Sequence, residues 1–285
     1  MTVMKTILRD TLQCPQCQGQ LKEQNTGLVC QACGYEVPLE GDIPLFTTPP
    51  ADIQPSEKLV RGPEMGTPWR RANWRFLERQ LARLDRQASL LDVGAGRGDF
   101  EALLTDRQVI SLDIYPYPEV DIVCDLTLVN PFKPQGFDAI LLMNVLEHVY
   151  ETRPFLVALS GLLKPGGLLI VAIPFMVKMH QVPVDYVRLT EFSLQRLGPD
   201  HGLALDVLEG YYDPLFFLGE GTGNLRNAYL PGMDKGRRIA ARFLLGGIQV
   251  LAGGLNRLVG PGQAKVPSEV RSLAPTGYQV VYRKI

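Results

Sequence analysis

The chain has 285 residues, 46% hydrophobic and 21% charged, which suffices for a full globular core with a small accessory unit. Its formal net charge of -1 gives no global attraction to nucleic acid or to an anionic membrane, so either partner would have to meet a local patch. The opening residues mix Lys5, Arg9 and Asp10 with single hydrophobes; this is not the pattern of a signal peptide, and a cytoplasmic protein is expected.

Four of the five cysteines fall as Cys14-Pro-Gln-Cys17 and Cys30-Gln-Ala-Cys33. In a cytosolic chain, paired C-x-x-C turns point to metal rather than to disulfides. Each turn presents two thiolates, and the residues between Cys17 and Cys30 are enough for a hairpin that brings the turns together, as tetrahedral Zn2+ requires. A thioredoxin-like dithiol would occur once, at the start of a helix, and does not account for two such turns. Four thiolates leave no open position, so the expected zinc is structural. Gly19 and Gly34 follow the two turns, where the backbone folds back toward sulfur. Residues 11 to 46, closing in "YEVPLEGDIPLF", resemble the small zinc-ribbon family that includes the activator subunits of RNA and protein methyltransferases. The ribbon is assigned to 1–48, a proline-rich polar linker to 49–60 and the larger domain to 61–285.

After the linker, Trp69 to Leu84 reads as an arginine-rich helix. Its arginines form either a solvated face or a surface for an anionic acceptor such as RNA or a phosphorylated lipid.

The stretch "LLDVGAGRGDF" from Leu90 to Phe100 is an apolar strand running into a glycine turn. A dinucleotide fold would want G-x-G-x-x-G. Here Asp99 stands where the third glycine belongs and Asp92 lies just before Gly94, so carboxylates flank the place of a pyrophosphate. That suits a ligand with a positive centre and no phosphate. No Gly-Lys-Ser/Thr follows, which excludes a P-loop. Further strands are predicted at Val109–Ile114, ending by Asp113, at Asp121–Leu126, at Phe137–Val145 and in the Leu163–Pro174 segment. Asp113 is placed to accept from ribose hydroxyls, and Asp125 from an adenine amino group. Glu147 and His148 follow a strand directly, and His148 reads as a wall of the cofactor pocket more than as a proton carrier.

"LLDVGAGRGDF", "VISLDI", "VCDL", "FDAILLMNVLEHV" and "LLKPGGLLIVAIP" together resemble class I S-adenosylmethionine-dependent methyltransferases, over about residues 88 to 212 and again at Gly277–Ile285. The resemblance implies an α/β, Rossmann-like seven-stranded sheet whose last strand is antiparallel. It also implies a cofactor site in which Asp92, Gly94, Ala95, Gly96 and Gly98 approach the amino acid part, Asp113 and Ile114 the ribose, Asp125 and Leu126 the adenine, and Asn144 the methionyl group.

Past the last parallel strand, "H-x-x-P-x-D-Y-x-R-x-T" from His180 to Thr190 resembles a methyltransferase subgroup associated with surface-polysaccharide and small-molecule tailoring. His180 is a candidate general base with Asp185 beside it. Asp185 could equally pair with Arg188 to fix the loop, and the two readings are compatible. Thr190 should cap a helix over Glu191–Leu197.

An insertion at about 213–275 contains Arg237–Leu258, whose helical spacing gathers Arg238, Arg242, Gln249 and Asn256 on one stripe among apolar neighbours. Its apolar run is shorter than the ~20 residues of a membrane span. It reads as a lid or core helix first, and otherwise as a dimer contact or an interfacial anchor at the inner membrane surface. The expected protein is a methyltransferase acting on an oxygen or nitrogen nucleophile of a small-molecule, glycan or lipid-linked acceptor. An RNA acceptor and a non-catalytic, partner-stabilising subunit are the alternatives.

Overall fold

The structure, a computed structural model, describes residues 5–24, 27–51, 62–212, 221–222, 225–226, 229–259 and 275–285, with the side chains of 252, 253 and 255–259 left aside. The assigned linker beyond residue 51 and much of the assigned insertion therefore lie outside the described residues.

The N-terminal unit comprises α1 (Thr6–Thr11) and a four-stranded antiparallel sheet in sequential order, β1 (Leu21–Gln24), β2 (Gly27–Cys30), β3 (Glu36–Glu40) and β4 (Ile43–Pro44). The larger unit begins with α2 (Pro68–Leu81). Thr67 is its N-cap, its hydroxyl accepting from the Arg70 amide at 3.2 Å, and Pro68 occupies the first turn, where its missing N–H costs nothing. There follow β5 (Ser89–Val93), β6 (Gln108–Asp113), β7 (Ile122–Val123), β8 (Phe137–Met143), α3 (Thr152–Leu162), β9 (Leu163–Pro174), α4 (Glu191–Leu197), β10 (Leu203–Tyr211), α5 (Lys235–Val259) and β11 (Gly277–Lys284). As expected, Thr190 caps α4, its hydroxyl accepting from the Ser193 amide.

The large sheet has seven strands in the order β10-β11-β9-β8-β5-β6-β7. Strands β5 to β9 pair in parallel, while β11 is antiparallel to both β9 and β10, the topology that the sequence resemblance implied. Because β5 has β6 on one side and β8 on the other, the chain reverses its direction of winding there, and a crevice opens at the carboxyl ends of these strands.

Side chains alternate between two buried faces with the strand period. Leu91, Ile110, Ile140 and Val171 face one core; Leu90, Val109, Leu141 and Ile170 face the other. The second face is covered by α2 through Trp74, Phe76 and Leu77. The first is covered by α3 and, toward β6 and β7, by the N-terminal unit: Leu8, Leu12, Leu28, Val37 and Phe46 belong to the same apolar cluster as Ile110, Leu112 and Ile122.

The ribbon also continues the sheet. Leu45 pairs in parallel with Val123 at the outer edge, where the Phe46 amide donates to the Val123 carbonyl at 2.9 Å. On the other side of α1, Leu12 bridges Phe132 antiparallel. An edge strand of only two residues is thus closed by the first unit of the chain. The side chain of Phe46 is buried in this seam. Phe46→Ala is expected to destabilise the chain by about 3 to 5 kcal/mol. Urea unfolding followed by both far-UV dichroism and tryptophan fluorescence should show one concerted transition moved to lower denaturant.

Candidate cofactor and acceptor sites

After β5 the chain turns through Gly94, Gly96 and Gly98, all with positive φ (71°, 54° and 73°), a conformation that glycine adopts without penalty. A Cβ on Gly94 would lie 2.4 Å from Val145 Cγ2, so the loop after β8 can approach only because this residue is glycine. In front of Gly96 there is open space, with nothing within 4 Å of a Cβ built there. The Gly94 and Ala95 amides donate to the Leu112 carbonyl at 2.8 and 3.0 Å, and the Gly96 amide donates to Asp113 Oδ2 at 2.8 Å. The other Asp113 oxygen accepts from the Tyr115 amide at 3.1 Å. The turn after β5 and the turn after β6, where Ile114 sits, are thereby locked together.

Asp92 and Asp113 are both buried. Burial, reinforced by the charge of Asp113, pushes Asp92 up to about 7. Burial also raises Asp113, and the amides of Gly96, Tyr115 and Ile114 oppose the rise. Two buried carboxyls at the mouth of the crevice would repel a pyrophosphate and attract a cationic ligand, so the residues present fit S-adenosylmethionine, with its sulfonium and ammonium groups.

Asn144, just beyond β8, has a φ of 61°, and its Oδ1 accepts from Trp69 Nε1 at 2.7 Å. The Trp69 ring in turn lies 5.6 Å from that of Tyr211. No sequence pattern signalled Trp69 as part of this site. One strand further out, Asp125 folds on itself, its Oδ1 accepting from the Thr127 amide and hydroxyl at 2.9 and 2.6 Å. Its own amide donates to Thr47 Oγ1 at 2.9 Å, and Tyr115 donates its hydroxyl to the Pro50 carbonyl at 3.2 Å. The segment leaving the ribbon therefore touches both turns assigned to the nucleoside. Leu126 is buried among the apolar residues of the first face.

The loop after β9, the candidate acceptor loop, is organised around Glu147. This residue sits in a 3-10 turn, Leu146–His148, directly after β8, and its carboxylate is fully buried with neither oxygen hydrogen-bonded among the described residues. Its backbone carbonyl accepts from the Tyr186 and Val187 amides at 2.9 and 3.2 Å, which clamps the later loop against the turn. His180 Nε2 lies 3.7 Å and His148 Nε2 3.8 Å from Glu147 Oε1, and the two imidazole rings are 5.0 Å apart. His148 Nδ1 is 2.7 Å from the Val184 carbonyl, and His180 Nδ1 is 3.3 Å from Asp185 Oδ2.

Asp185 lies between His180 and Arg188. Its carboxylate accepts from both Arg188 Nη atoms, Nη2 at 2.6 Å, and also from the His180 amide at 2.9 Å. Burial pushes Asp185 up, but the bonds from Arg188 and His180 outweigh it and hold the carboxyl below its ordinary value. Glu147, and after it Asp185, raise His180 against the opposing effect of burial. The sequence pattern pairs Glu147 with His148 alone and gives no sign that it meets His180; a Glu-His pair directly after a buried strand is the available signal.

The arginines of α2 and the turn after it are largely engaged within the protein. Arg70 is buried over the rings of Trp74 and Phe100 and donates to the Gly62 carbonyl. Arg75, Arg79, Arg83 and Arg86 pair with Glu64, Glu209, Asp206 and Asp106.

In the ribbon, the Sγ atoms of Cys14 and Cys33 are 3.6 Å apart and those of Cys17 and Cys30 3.4 Å, close to the about 3.8 Å edge of a tetrahedron with zinc–sulfur bonds of about 2.3 Å. All four thiols fall within one metal-sized cluster, so the residues fit a structural zinc ion. A Cβ on Gly19 would lie 3.0 Å from Cys30 Sγ and 3.1 Å from Cys17 Sγ, which explains the glycine there. The left-handed turn residues are Gln18 and Gly34.

Residues 67–193 match the model of a methyltransferase domain family. Together with the seven-stranded topology and the crevice described above, the match identifies a methyltransferase domain within this chain. Solved structures of similar fold include a candidate sarcosine dimethylglycine methyltransferase from Galdieria sulphuraria, 15% identical over 75% of this chain and 85% of that one, with a TM-score of 0.47. A second is the 1,6-didemethyltoxoflavin N1-methyltransferase of Burkholderia thailandensis, 16% identical over 76% and 78%, TM-score 0.45. A third is an S-adenosylmethionine-dependent methyltransferase from Archaeoglobus fulgidus, 15% identical over 75% and 94%, TM-score 0.45. No curated protein sequence matches the chain.

Asp92 supplies a pH test of the crevice. A carboxyl raised in the folded state binds its proton more tightly there, so its contribution to stability is present at low pH and is lost as pH rises through the folded value of about 7. The ligand-free wild-type chain should therefore lose stability between pH 5 and pH 8 relative to Asp92→Asn, by several degrees of melting temperature. Calorimetric scans of the two proteins across that range measure it; parallel pH profiles would contradict the assignment.

Proposed function

We propose that this methyltransferase alkylates an oxygen or nitrogen nucleophile of a small-molecule, glycan or lipid-linked acceptor held at the Glu147, His148, His180 and Asp185 cluster. The observation that carries the reading is the convergence of these residues from two separate segments, directly beyond Asn144 at the end of β8. S-adenosylmethionine, when bound, supplies a methyl group on a positively charged sulfur that leaves as a neutral thioether. The chain's part is alignment and the handling of the acceptor's proton. Asp92, the Gly94–Gly98 turn, Asp113, Ile114, Asp125, Leu126 and Asn144 are the proposed cofactor contacts. His180 is the proposed proton acceptor, with Asp185 orienting it through Nδ1 and Arg188 holding Asp185 in place.

A lipid-linked acceptor draws support from α5. Two residues of its polar stripe are engaged locally, Arg238 donating to the Met233 carbonyl at 2.7 Å and Gln249 to Thr222 Oγ1 at 3.2 Å. Phe243, Leu244, Val250 and Leu251 are exposed, each at more than 70%. A helix of a water-soluble protein normally buries such residues against a core. Lys235, Arg237, Arg238 and Arg242 are basic, and no acidic residue occurs between Lys235 and Val259. No described helix is long and apolar enough to cross a membrane. The combination suits a helix lying at an anionic lipid surface and bringing the site to a membrane-borne acceptor. An RNA acceptor is less well supported, because the arginines of the α2 region are engaged within the protein.

Two outcomes test these assignments. His180→Ala should lower turnover by roughly 10^2- to 10^4-fold while calorimetry shows S-adenosylmethionine affinity little changed; unchanged turnover would remove His180 from the site. Phe243→Asp should abolish co-sedimentation with vesicles rich in phosphatidylglycerol and leave the melting temperature near that of the wild type, whereas wild-type protein that stays in solution would exclude the lipid-surface role.

A further inference from the structure

Glu147 poses an electrostatic problem that the methyl-transfer reading leaves unsolved. An ionised carboxylate with no exposure and no hydrogen-bond donor is costly unless a positive charge lies beside it. The neighbouring imidazoles stand 3.7 and 3.8 Å away, at ion-pair but not hydrogen-bond distance, so His180, which Glu147 raises, balances its charge without hydrogen-bonding it, and His148 Nε2 is itself buried without a hydrogen-bond partner among the described residues. Two histidine nitrogens and a carboxylate oxygen thus face a common point, with all the ligand atoms within 4.8 Å of one another.

The outer nitrogens strengthen the pattern. Metal-binding histidines characteristically give their second ring N–H to a carbonyl or carboxylate, which fixes the tautomer and aims the other nitrogen at the ion. His148 Nδ1 meets the Val184 carbonyl, and His180 Nδ1 meets Asp185, leaving both Nε2 atoms toward Glu147. With metal–ligand bonds of about 2.0 to 2.2 Å, ligand atoms stand roughly 3 to 3.5 Å apart, so the two Glu147–imidazole separations of 3.7 and 3.8 Å need to contract by only a few tenths of an ångström, with both imidazole nitrogens drawn in toward the same ion. The His180 side chain is 31% exposed, which leaves a path from solvent.

We infer that Glu147, His148 and His180 bind a divalent first-row transition-metal ion, with open positions that coordinate an oxygen of the acceptor. This deepens the methyltransferase reading and rests on it for the acceptor. Two imidazoles and one carboxylate suit Mn2+, Fe2+ or Zn2+ better than Mg2+ or Ca2+, which prefer all-oxygen sets. In the metal-loaded enzyme His180 is a ligand, and the base role assigned to it above belongs to the metal-free chain. The bound cation lowers the proton affinity of a coordinated hydroxyl, whose proton passes to solvent. The oxygen keeps a lone pair for the bond to the methyl carbon as the sulfur–methyl bond breaks and its electron pair stays on sulfur. An amine would have its only lone pair tied up in coordination, so the metal selects an oxygen acceptor.

Mn2+ is the probe, because it stands lowest in the divalent affinity order and does not displace zinc from the ribbon thiolates. Full-length protein with its zinc, freed of loosely held metal by brief chelation, is titrated with Mn2+ and followed by electron paramagnetic resonance and by melting temperature. One saturable site per chain is expected, with a rise in melting temperature. Binding should be lost in Glu147→Gln and weakened at least about tenfold in His148→Ala. Absence of a saturable site in folded wild-type protein, or a site that persists unchanged in both variants, would overturn the inference. Either result leaves methyl transfer and the metal-free role of His180 standing, since those are judged by turnover of the metal-stripped enzyme.

Discussion

The backbone bond from the Phe46 amide to the Val123 carbonyl is where the two units of the chain become one. Strand β7 is only two residues long, and by itself it would leave the far edge of the large sheet open. Leu45 and Phe46 complete that edge, and the side chain of Phe46 joins the core beneath it. Because the chain then continues through Thr47 and Pro50, the same contact carries it across Asp125 and Tyr115. A zinc ion at the four cysteines would fix the N-terminal unit from which this path leaves. The two units share one apolar cluster.

A second constraint is charge. Asp92, Asp113 and Glu147 all stand buried at or just past the carboxyl ends of the central parallel strands. Such a concentration of acid is unfavourable in an empty fold and becomes favourable only with positive charge in place. At Asp92 and Asp113 the proposed sulfonium nucleotide would meet that need. At the Glu147 carboxylate no group among the described residues reaches hydrogen-bonding distance, and this sets the proposed acceptor side apart from the proposed cofactor side.

Positive charge elsewhere is spent on architecture. The arginines from Arg75 to Arg86 reach across to acidic groups on β10, on the turn before β6 and on the segment before α2. Arg188 is committed to Asp185. Exposed pairs of this kind contribute little individually, but they leave few cations for a polyanionic partner. Helix α5 is the contrasting case, since its basic residues have no acidic companions within the helix and its apolar side chains point outward.

The sequence determined what depends on neighbours along the chain. The spacing of Cys14, Cys17, Cys30 and Cys33, the glycine turn after β5, the acids at strand ends, the Thr190 cap and the Asp185–Arg188 pair are all local patterns, and local patterns survive translation into structure because few residues intervene. The seven-stranded topology came by resemblance from five such patterns taken in order. Tertiary structure decided what depends on strand order. Glu147 and His180 meet only because β9 lies beside β8 and returns the chain to the same end of the sheet, and Trp69 reaches Asn144 across 75 positions of sequence. The lack of any hydrogen-bond partner for the Glu147 carboxylate among the described residues is likewise a property of packing, invisible in a one-dimensional pattern. For α5 the periodicity was legible, but which stripe faces inward was not: a helical wheel fixes the angle between faces, and only the surrounding protein fixes where that wheel points.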